Sequence, residues 1–121
     1  MSDIFVFGSN LKGIHGAGSA KHAREVYEAE WGVGAGPTGR AYAIPTKDKN
    51  LRSLSLQEIE AHVHVFLLYA HHHPKLRFNI VAIGCGLAGY KPNQIAPMFR
   101  QAPSNCLLPE EFLLHLPERR T

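Results

Sequence analysis

Short apolar runs alternate with amphipathic segments along the chain. The first run, residues 3–7, is rich in β-forming residues and stops at Gly8-Ser9-Asn10, which predicts a buried strand whose carboxyl end enters a loop from residue 8. Apolar positions at spacings of three and four then predict a helix from about residue 17 to residue 31. These positions are Ala20, Ala23, Tyr27 and Trp31.

Residues 32–39 hold four glycines and a proline, which predicts a loop. Residues 40–45 form the next β-rich run and predict a second strand. The polar residues 46–50 follow as another loop. Ser55 and Glu58 then have the spacing of a capping box, which predicts the start of a helix that ends near Pro74. Its apolar face comprises Leu56, Ile59, Val63, Phe66, Leu67 and Ala70.

The last third of the chain repeats the pattern on a smaller scale. Residues 78–83 predict a third strand that runs directly into the glycine-rich segment 84–90. A short helix is expected around residues 93–101 and a last strand at 105–108, followed by a surface tail or short helix.

The order strand, helix, strand, helix, strand, helix is typical of a mostly parallel sheet covered by helices, because parallel strands need long crossover connections. We therefore predict one α/β domain over residues 1–121, with a core at about 3–110 and a tail at 111–121. Ligands of such sheets bind beyond the carboxyl ends of the strands. The segments there are 8–18, 45–50 and 84–90.

Composition narrows the class of protein further. The 121 residues suffice for one core, and no apolar run approaches the roughly 20 residues that span a bilayer. The start of the chain lacks the pattern of a signal peptide, so we expect a cytoplasmic protein without membrane contact. Two cysteines, Cys85 and Cys106, predict free thiols. A net charge of +3 is compatible with an anionic ligand but does not by itself indicate nucleic-acid binding.

Glycines that lead into a helix let backbone amides approach a phosphate, and residues 13–18 have that layout. A second glycine-rich segment after a strand favours a pyrophosphate site, although glycines that merely turn the chain are the alternative. Asn10 could bind a ribose hydroxyl or cap a turn. Lys47, beside Asp48, could neutralise phosphate, act as a nucleophile or be a solvated surface lysine.

The remaining candidates are histidines and a cysteine. His15 lies within the first glycine-rich segment, where it could contact a ligand. Residues 71–73 are consecutive histidines that point in different directions from a helix, so they predict no metal site and are better explained as cations at a helix end. Cys85 is interpreted as a small loop residue because no base accompanies it. No cofactor is expected.

Three segments together resemble the signatures of macro domains, which bind ADP-ribose. They are residues 7–10, 15–20 and 82–90: a strand ending in Asn, a glycine loop entering a helix, and a late strand ending in a second glycine loop. The resemblance covers residues 3–110 and implies a shortened three-layer α/β/α domain. Residues 44–47, 54–60 and 83–87 are most similar to the branch of DNA ADP-ribosyl glycohydrolase antitoxins and terminal ADP-ribose glycohydrolases.

In that branch a lysine of a Thr-Lys pair acts on the anomeric carbon of ribose, and Lys47 matches it. The resemblance also places Asp3 near adenine. The chain departs from the branch at Ala88, where a catalytic aspartate is usual, and at Asn50 and Leu51, where an aromatic residue often follows. The ligand-binding residues implied are Gly8, Ser9, Asn10, His15, Gly16, Ala17, Gly18, Thr46, Gly84, Cys85, Gly86, Leu87, Ala88, Gly89 and Tyr90.

The function implied is binding of ADP-ribose or a related NAD-derived nucleotide, with hydrolysis of ADP-ribose from modified DNA or protein as the activity that Lys47 would carry. Two alternatives stand beside it. One is a non-catalytic module that binds or sequesters such a nucleotide. The other is a phage or bacterial macro-like scaffold that has lost the ligand.

Overall fold

A computed structural model of the chain describes residues 3–117. It contains a five-stranded sheet in the order β2-β3-β1-β4-β5, in which β1, β3, β4 and β5 are parallel and β2 is antiparallel to β3. The strands are β1 (Asp3–Asn10), β2 (Gly36–Thr38), β3 (Ala41–Lys47), β4 (Arg77–Ile80) and β5 (Cys106–Leu107). The helices are α1 (Gly18–Val26), α2 (Leu56–His71), α3 (Pro92–Ile95), which continues as a 3-10 helix (Ala96–Phe99), and α4 (Glu110–Leu113).

Alternating side chains on the two central strands build two cores. On β1, Val6 belongs to the larger core under α2, whereas Phe7 belongs to the smaller core under α1. On β3, Ile44 lies in the larger core and Ala43 in the smaller one. Because successive side chains of a strand point to opposite faces, the sheet is covered on both sides. The predicted three-layer α/β/α architecture with a mostly parallel sheet is confirmed.

Both central strands run further than their sequence predicted. β1 continues to Asn10 instead of ending before Gly8, and β3 includes Thr46 and Lys47, which we expected in a loop. The two strands pair in parallel through this region, with Gly8 opposite Ile44 and Asn10 opposite Lys47 after a register shift. Glycine and polar residues are usual breakers, but here neighbouring strands on the sheet supply their hydrogen bonds.

Helix α1 is shorter than the predicted 17–31 and ends at Val26. The next carbonyls are bound by another part of the chain: the amide of Arg40 donates to the Tyr27 carbonyl, and the Arg40 guanidinium donates to the Val26 carbonyl. Glu28 then adopts a φ of 64°, which turns the backbone out of the helix. Trp31 therefore lies outside α1, although its spacing fits the apolar stripe.

Two other boundaries also differ from prediction. Residues 36–38, expected within a loop, form the edge strand β2 through pairing with β3, a long-range contact that local composition does not reveal. Strand β4 ends at Ile80 rather than at residue 83. The amide of Val81 still donates to the Val6 carbonyl, and the amide of Ile83 then turns back to the Val81 carbonyl.

The predicted capping box of α2 is confirmed. The Ser55 hydroxyl accepts a hydrogen bond from the Glu58 amide, and the Glu58 carboxylate accepts one from the Ser55 amide. Hydrogen bonding to the Glu58 carboxyl, first from the Ser55 amide and then from the Ser55 side chain, holds the pKa of Glu58 below its ordinary value. At the other end, the His72 and His73 rings donate to the carbonyls of Leu68 and Tyr69, which satisfies the last turn.

Of the two forms predicted for the chain after β5, a surface tail or a short helix, the structure shows a short helix, and this helix packs into the core. Its short helix, α4, places Phe112 in the larger core, fully buried with its ring centroid 5.4 Å from that of Phe99. Leu116 also packs against this core. Residues 118–121 of the expected tail, like residues 1–2, lie outside the described part of the chain. Within residues 3–117, none of the helices is both long and apolar enough to cross a membrane.

We predict that Phe112→Ala lowers the free energy of unfolding by about 3–5 kcal/mol, the usual cost of removing a buried phenyl ring. Chemical denaturation measures this change. Leu114→Ala is the matched control, because Leu114 lies on the same turn of chain and is 77% exposed. Equal small losses in both variants would show that α4 does not belong to the core.

Candidate functional site

The carboxyl ends of β1, β3 and β4 open into a cavity of about 720 Å³. Its walls contain Lys47 and twelve of the fifteen other residues implied by the sequence; His15, Gly89 and Tyr90 do not line it. We name the two loops that form most of the wall L1 (residues 11–17) and L2 (residues 81–91). The implied residues on the wall are Gly8, Ser9, Asn10, Gly16, Ala17, Gly18, Thr46, Gly84, Cys85, Gly86, Leu87 and Ala88.

Asn10 shapes L1 through both ends of its side-chain amide. Its Nδ2 donates to the Ile14 carbonyl at 2.9 Å, and its Oδ1 accepts from the Ile14 amide at 3.0 Å. The Asn10 carbonyl also accepts a hydrogen bond from the Gly13 amide. Asn10 is thus the turn-capping residue that its position at a strand end allowed, while one face of it still lines the cavity.

L1 is supported from behind by residues 32–34, at distances that only glycine allows. A Cβ on Gly13 would lie 2.3 Å from the carbonyl carbon of Gly32, and Gly13 also has a φ of +76°. A Cβ on Gly34 would lie 2.1 Å from the Asn10 carbonyl oxygen. The Ser9 hydroxyl donates to the Gly34 carbonyl. These contacts with residues 32–34 hold L1 in its conformation.

His15 lies in this support and not on the cavity wall, contrary to its implied role as a ligand-binding residue. The side chain is fully buried, its Nε2 donates to the Val33 carbonyl at 3.0 Å, and the ring packs edge-on against Phe7. Its Nδ1 has no hydrogen-bond partner among residues 3–117. The Arg24 guanidinium donates to the His15 carbonyl and also lies over the Trp31 ring.

Helix α1 presents an uncapped amino terminus to the cavity. Gly18, Ser19 and Ala20 of its first turn line the wall, and the N-cap residue, Ala17, has no side chain that could accept from their amides. Such amides bind anions, and the helix dipole adds about 0.3–1 kcal/mol for a negative group. The first turn of α1 therefore offers an anion-binding position on the cavity wall.

L2 presents a second set of backbone donors to the same cavity. The amides of Gly86, Leu87 and Ala88 make no hydrogen bond to any residue of the described chain, whereas the flanking amides of Cys85 and Gly89 are bound to Ala82 and Gly86. The Ser53 hydroxyl holds L2 by donating to the Ala88 carbonyl at 2.7 Å. Residues with unsatisfied amides, from L2 and from the first turn of α1, thus line the same cavity.

Gly89 and Tyr90, which the sequence implied as ligand contacts, close L2 instead of lining the cavity. Gly89 adopts a φ of +85°, and the Tyr90 amide donates to the Gly84 carbonyl. The Tyr90 hydroxyl donates a hydrogen bond to the carbonyl of Leu54, which lies two residues before α2. Their role in the structure is to fix the shape of L2.

Lys47 is the last residue of β3 and is half-buried beside Asn10. Its backbone is held on both sides, because its carbonyl accepts from the Leu11 amide and it forms a bridge with Ser53. Its ammonium forms no ion pair with a described residue. The neighbouring Asp48 carboxylate instead accepts hydrogen bonds from the amides of Asn50 and Arg52, and Asp48 does not line the cavity. Lys47 is thus a positioned cation that remains available to a ligand.

Cys85 lies on the cavity wall but is not poised as a nucleophile. Burial, and then the nearby Glu111 carboxylate, raise the pKa of its thiol above the ordinary value. The thiol therefore stays protonated near neutral pH, and it faces the Ile83 carbonyl at 3.5 Å. This agrees with its interpretation as a small loop residue.

Sequence reasoning missed several residues of the wall. Glu111 is the most important, because it brings a carboxylate to the cavity from a segment expected to be a surface tail. Leu51, at a departure from the macro-domain pattern, and Pro92 also line it. The residues around Glu111 contain no motif that predicts a position at the site. Its position depends on the packing of Phe112, which brings α4 to the cavity.

Asp3 does not reach this cavity. It lies at the other end of β1, seven residues or about 23 Å from Asn10 along an extended strand. There its carboxylate pairs with Arg77 and accepts from the Asn79 side chain, and these contacts, that of Asn79 first, lower its pKa. Asp3 thus lies away from the cavity around which the other implied ligand-binding residues gather.

Two other features lie away from this site. A second cavity of about 610 Å³ lies between α2 and the β2-β3 edge, lined by apolar residues together with His62, His72 and His73. Across residues 3–117, no group of three or more histidine, cysteine or acidic residues could hold a metal ion. Of residues 71–73, His71 is the last residue of α2, and His72 and His73 line this second cavity.

Comparison with known proteins gives the fold but no closer relationship. No protein-family model and no curated protein sequence matches the chain. A solved structure of a protein of unknown function from Bacteroides thetaiotaomicron matches with a TM-score of 0.63 and 16% identity, over 88% of this chain and 85% of that one. Thermosipho africanus DarTG, solved in complex with ADP-ribose, matches with a TM-score of 0.61 and 16% identity, over 88% of this chain.

The chain spans 38% of the DarTG chain that it matches. At this identity the similarity concerns the fold alone. The fold places the glycine loops at the carboxyl edge of a mostly parallel sheet, as the family resemblance implied.

Gly13 and Gly16, both in L1, differ in the space available for a side chain. We predict that Gly13→Ala lowers the free energy of unfolding by more than about 2 kcal/mol, because the methyl group would overlap Gly32 at a positive φ. Gly16→Ala should change it by less than about 0.5 kcal/mol, because the nearest atom, in Ile14, lies 3.8 Å away. Denaturation curves of both variants measure the difference. Equal destabilisation would contradict the support of L1 by residues 32–34.

Proposed function

We propose that the cavity binds ADP-ribose or a closely related NAD-derived nucleotide. The observation that carries this proposal is that two sets of unsatisfied amides, in the first turn of α1 and in residues 86–88 of L2, belong to residues lining one cavity. A pyrophosphate carries acceptors on both of its phosphate groups, so it can bind both sets at once. The similarity to DarTG, whose structure contains ADP-ribose, supports the same ligand.

Within this proposal the ligand lies with its pyrophosphate between L1 and L2 and its distal ribose towards Asn10 and Lys47. Thr46 and Lys47 match the Thr-Lys pair of the ADP-ribosyl glycohydrolase branch. If Lys47 acts as in that branch, its ammonium first loses a proton to solvent, and the resulting amine forms a bond to C1 of the ribose while the bond from C1 to the acceptor breaks. The acceptor leaves with the electron pair and takes up a proton, and water then releases ADP-ribose and restores the amine.

A binding module without turnover is the second candidate, and the charges on the wall favour it. The glycohydrolase aspartate is replaced by Ala88, and the one carboxylate among the described wall residues, Glu111, follows β5 on the opposite side of the cavity from Lys47. None of the described wall residues on the Lys47 side carries a carboxylate that could act as acid or base. Hydrolysis would then depend on Lys47 and water, which makes binding the more strongly supported part of the proposal.

Isothermal titration with ADP-ribose, with AMP and NAD as comparators, tests binding. We predict that ADP-ribose binds and that AMP, which lacks the pyrophosphate and the distal ribose, binds at least about tenfold more weakly, because it can satisfy only part of the two amide sets. Absence of heat with all three ligands would contradict the proposal and favour a scaffold without ligand.

Lys47→Ala distinguishes the two candidates. If the protein hydrolyses ADP-ribosylated DNA or protein, this variant should keep ADP-ribose binding and lose product formation by at least about a hundredfold. Lys49→Ala is the matched control, because Lys49 is an exposed lysine of the adjacent loop that does not line the cavity. Full hydrolysis by Lys47→Ala would contradict the assignment. Binding without product in the wild-type protein would establish the binding module.

A further inference from the structure

The cavity has a fixed acidic end. Glu111 lies in α4, and the next residue, Phe112, is fully buried against Phe99. The buried ring anchors the helix, so the Glu111 carboxylate is held at the wall near Cys85 and Pro92. Its neighbour Glu110, by contrast, does not line the cavity. The position of Glu111 therefore results from packing of the core and not from a surface tail.

Lys47 and Glu111 lie at opposite ends of the site. Lys47 ends β3, Glu111 follows β5, and β1 and β4 lie between them in the sheet. Three strand spacings, or about 14 Å, separate β3 from β5. Among the described wall residues, Lys47 is the one basic side chain and Glu111 the one carboxylate. The site is consequently cationic at one end, lined by amide donors in the middle, and anionic at the other.

This arrangement orients an elongated ligand. With the pyrophosphate at the amides and the distal ribose at Lys47, the adenosine end of ADP-ribose extends towards Glu111. A carboxylate accepts hydrogen bonds and donates none, so it suits the hydroxyl groups of that ribose or the amino group of adenine. It is unsuited to a phosphate there, because two negative groups would be brought together in a partly enclosed cavity.

We propose that Glu111 is a specificity-determining residue that selects nucleotides derived from NAD over those derived from NADP. The inference rests on the proposed function and deepens it, since it names the class of ligand that the same cavity accepts. The physical rule is general: in dinucleotide-binding folds an acidic residue binds the free ribose 2′-hydroxyl, whereas an arginine accommodates a 2′-phosphate. Here the acidic residue comes from a different element, the helix after the last strand.

The test compares the affinities for ADP-ribose and ADP-ribose 2′-phosphate by isothermal titration. The wild-type protein should prefer ADP-ribose by at least about tenfold. Glu111→Gln should reduce this preference, and Glu111→Lys should reverse it, because a cation then faces the 2′-phosphate. Glu110→Gln is the matched control: it removes the same charge from the same helix, off the wall, and should keep the wild-type preference.

The outcomes separate this inference from the proposed function. If wild-type protein binds both ligands and the affinity ratio is the same in Glu111→Lys, the role of Glu111 is wrong while the nucleotide site stands. If Glu110→Gln shifts the ratio as much as Glu111→Gln, the effect is one of overall charge and the inference is also overturned. If the wild-type protein binds neither ligand, both proposals fail together.

Discussion

Parallel pairing of β1 with both of its neighbours is the constraint on which the site depends. β1 bonds to β3 on one side and to β4 on the other, and all three strands run in the same direction. Their carboxyl ends therefore meet at one edge, where they bring Asn10, Lys47 and L2 around a single cavity. The continuation of β1 to Asn10 matters most, because it carries the strand to the level of Lys47 and starts L1 there.

The sequence predicted the elements that depend on local signals. The capping box of α2, the order of the main strands and the two glycine-rich loops were all recognisable, because each rests on short-range periodicity or turn chemistry. Lys47 and most of the cavity wall followed from their positions at strand ends. The architecture was thus predictable from the pattern of strands, helices and glycines.

The features that the sequence did not reveal depend on contacts between distant parts of the chain. Strand β2 exists only through its pairing with β3, and α1 ends early because Arg40 binds its last carbonyls. His15 lies in a glycine-rich segment, which suggested a ligand contact. Instead its side chain is buried and bonds to the Val33 carbonyl, so it supports L1 from behind. Glu111 reaches the cavity because the neighbouring Phe112 is buried in the core. Hydrophobic periodicity did not predict that the core extends to this part of the chain.

The central claim is that backbone amides of α1 and L2 bind the phosphates of a nucleotide. Titration of ¹⁵N-labelled protein with ADP-ribose, followed by amide chemical shifts, tests it most directly. The account predicts that the largest shifts occur at residues 18–20 and 86–88, with little change at Tyr69 and His73 beside the second cavity. Saturating ADP-ribose that leaves residues 18–20 and 86–88 unshifted, or that shifts only residues around the second cavity, would contradict it.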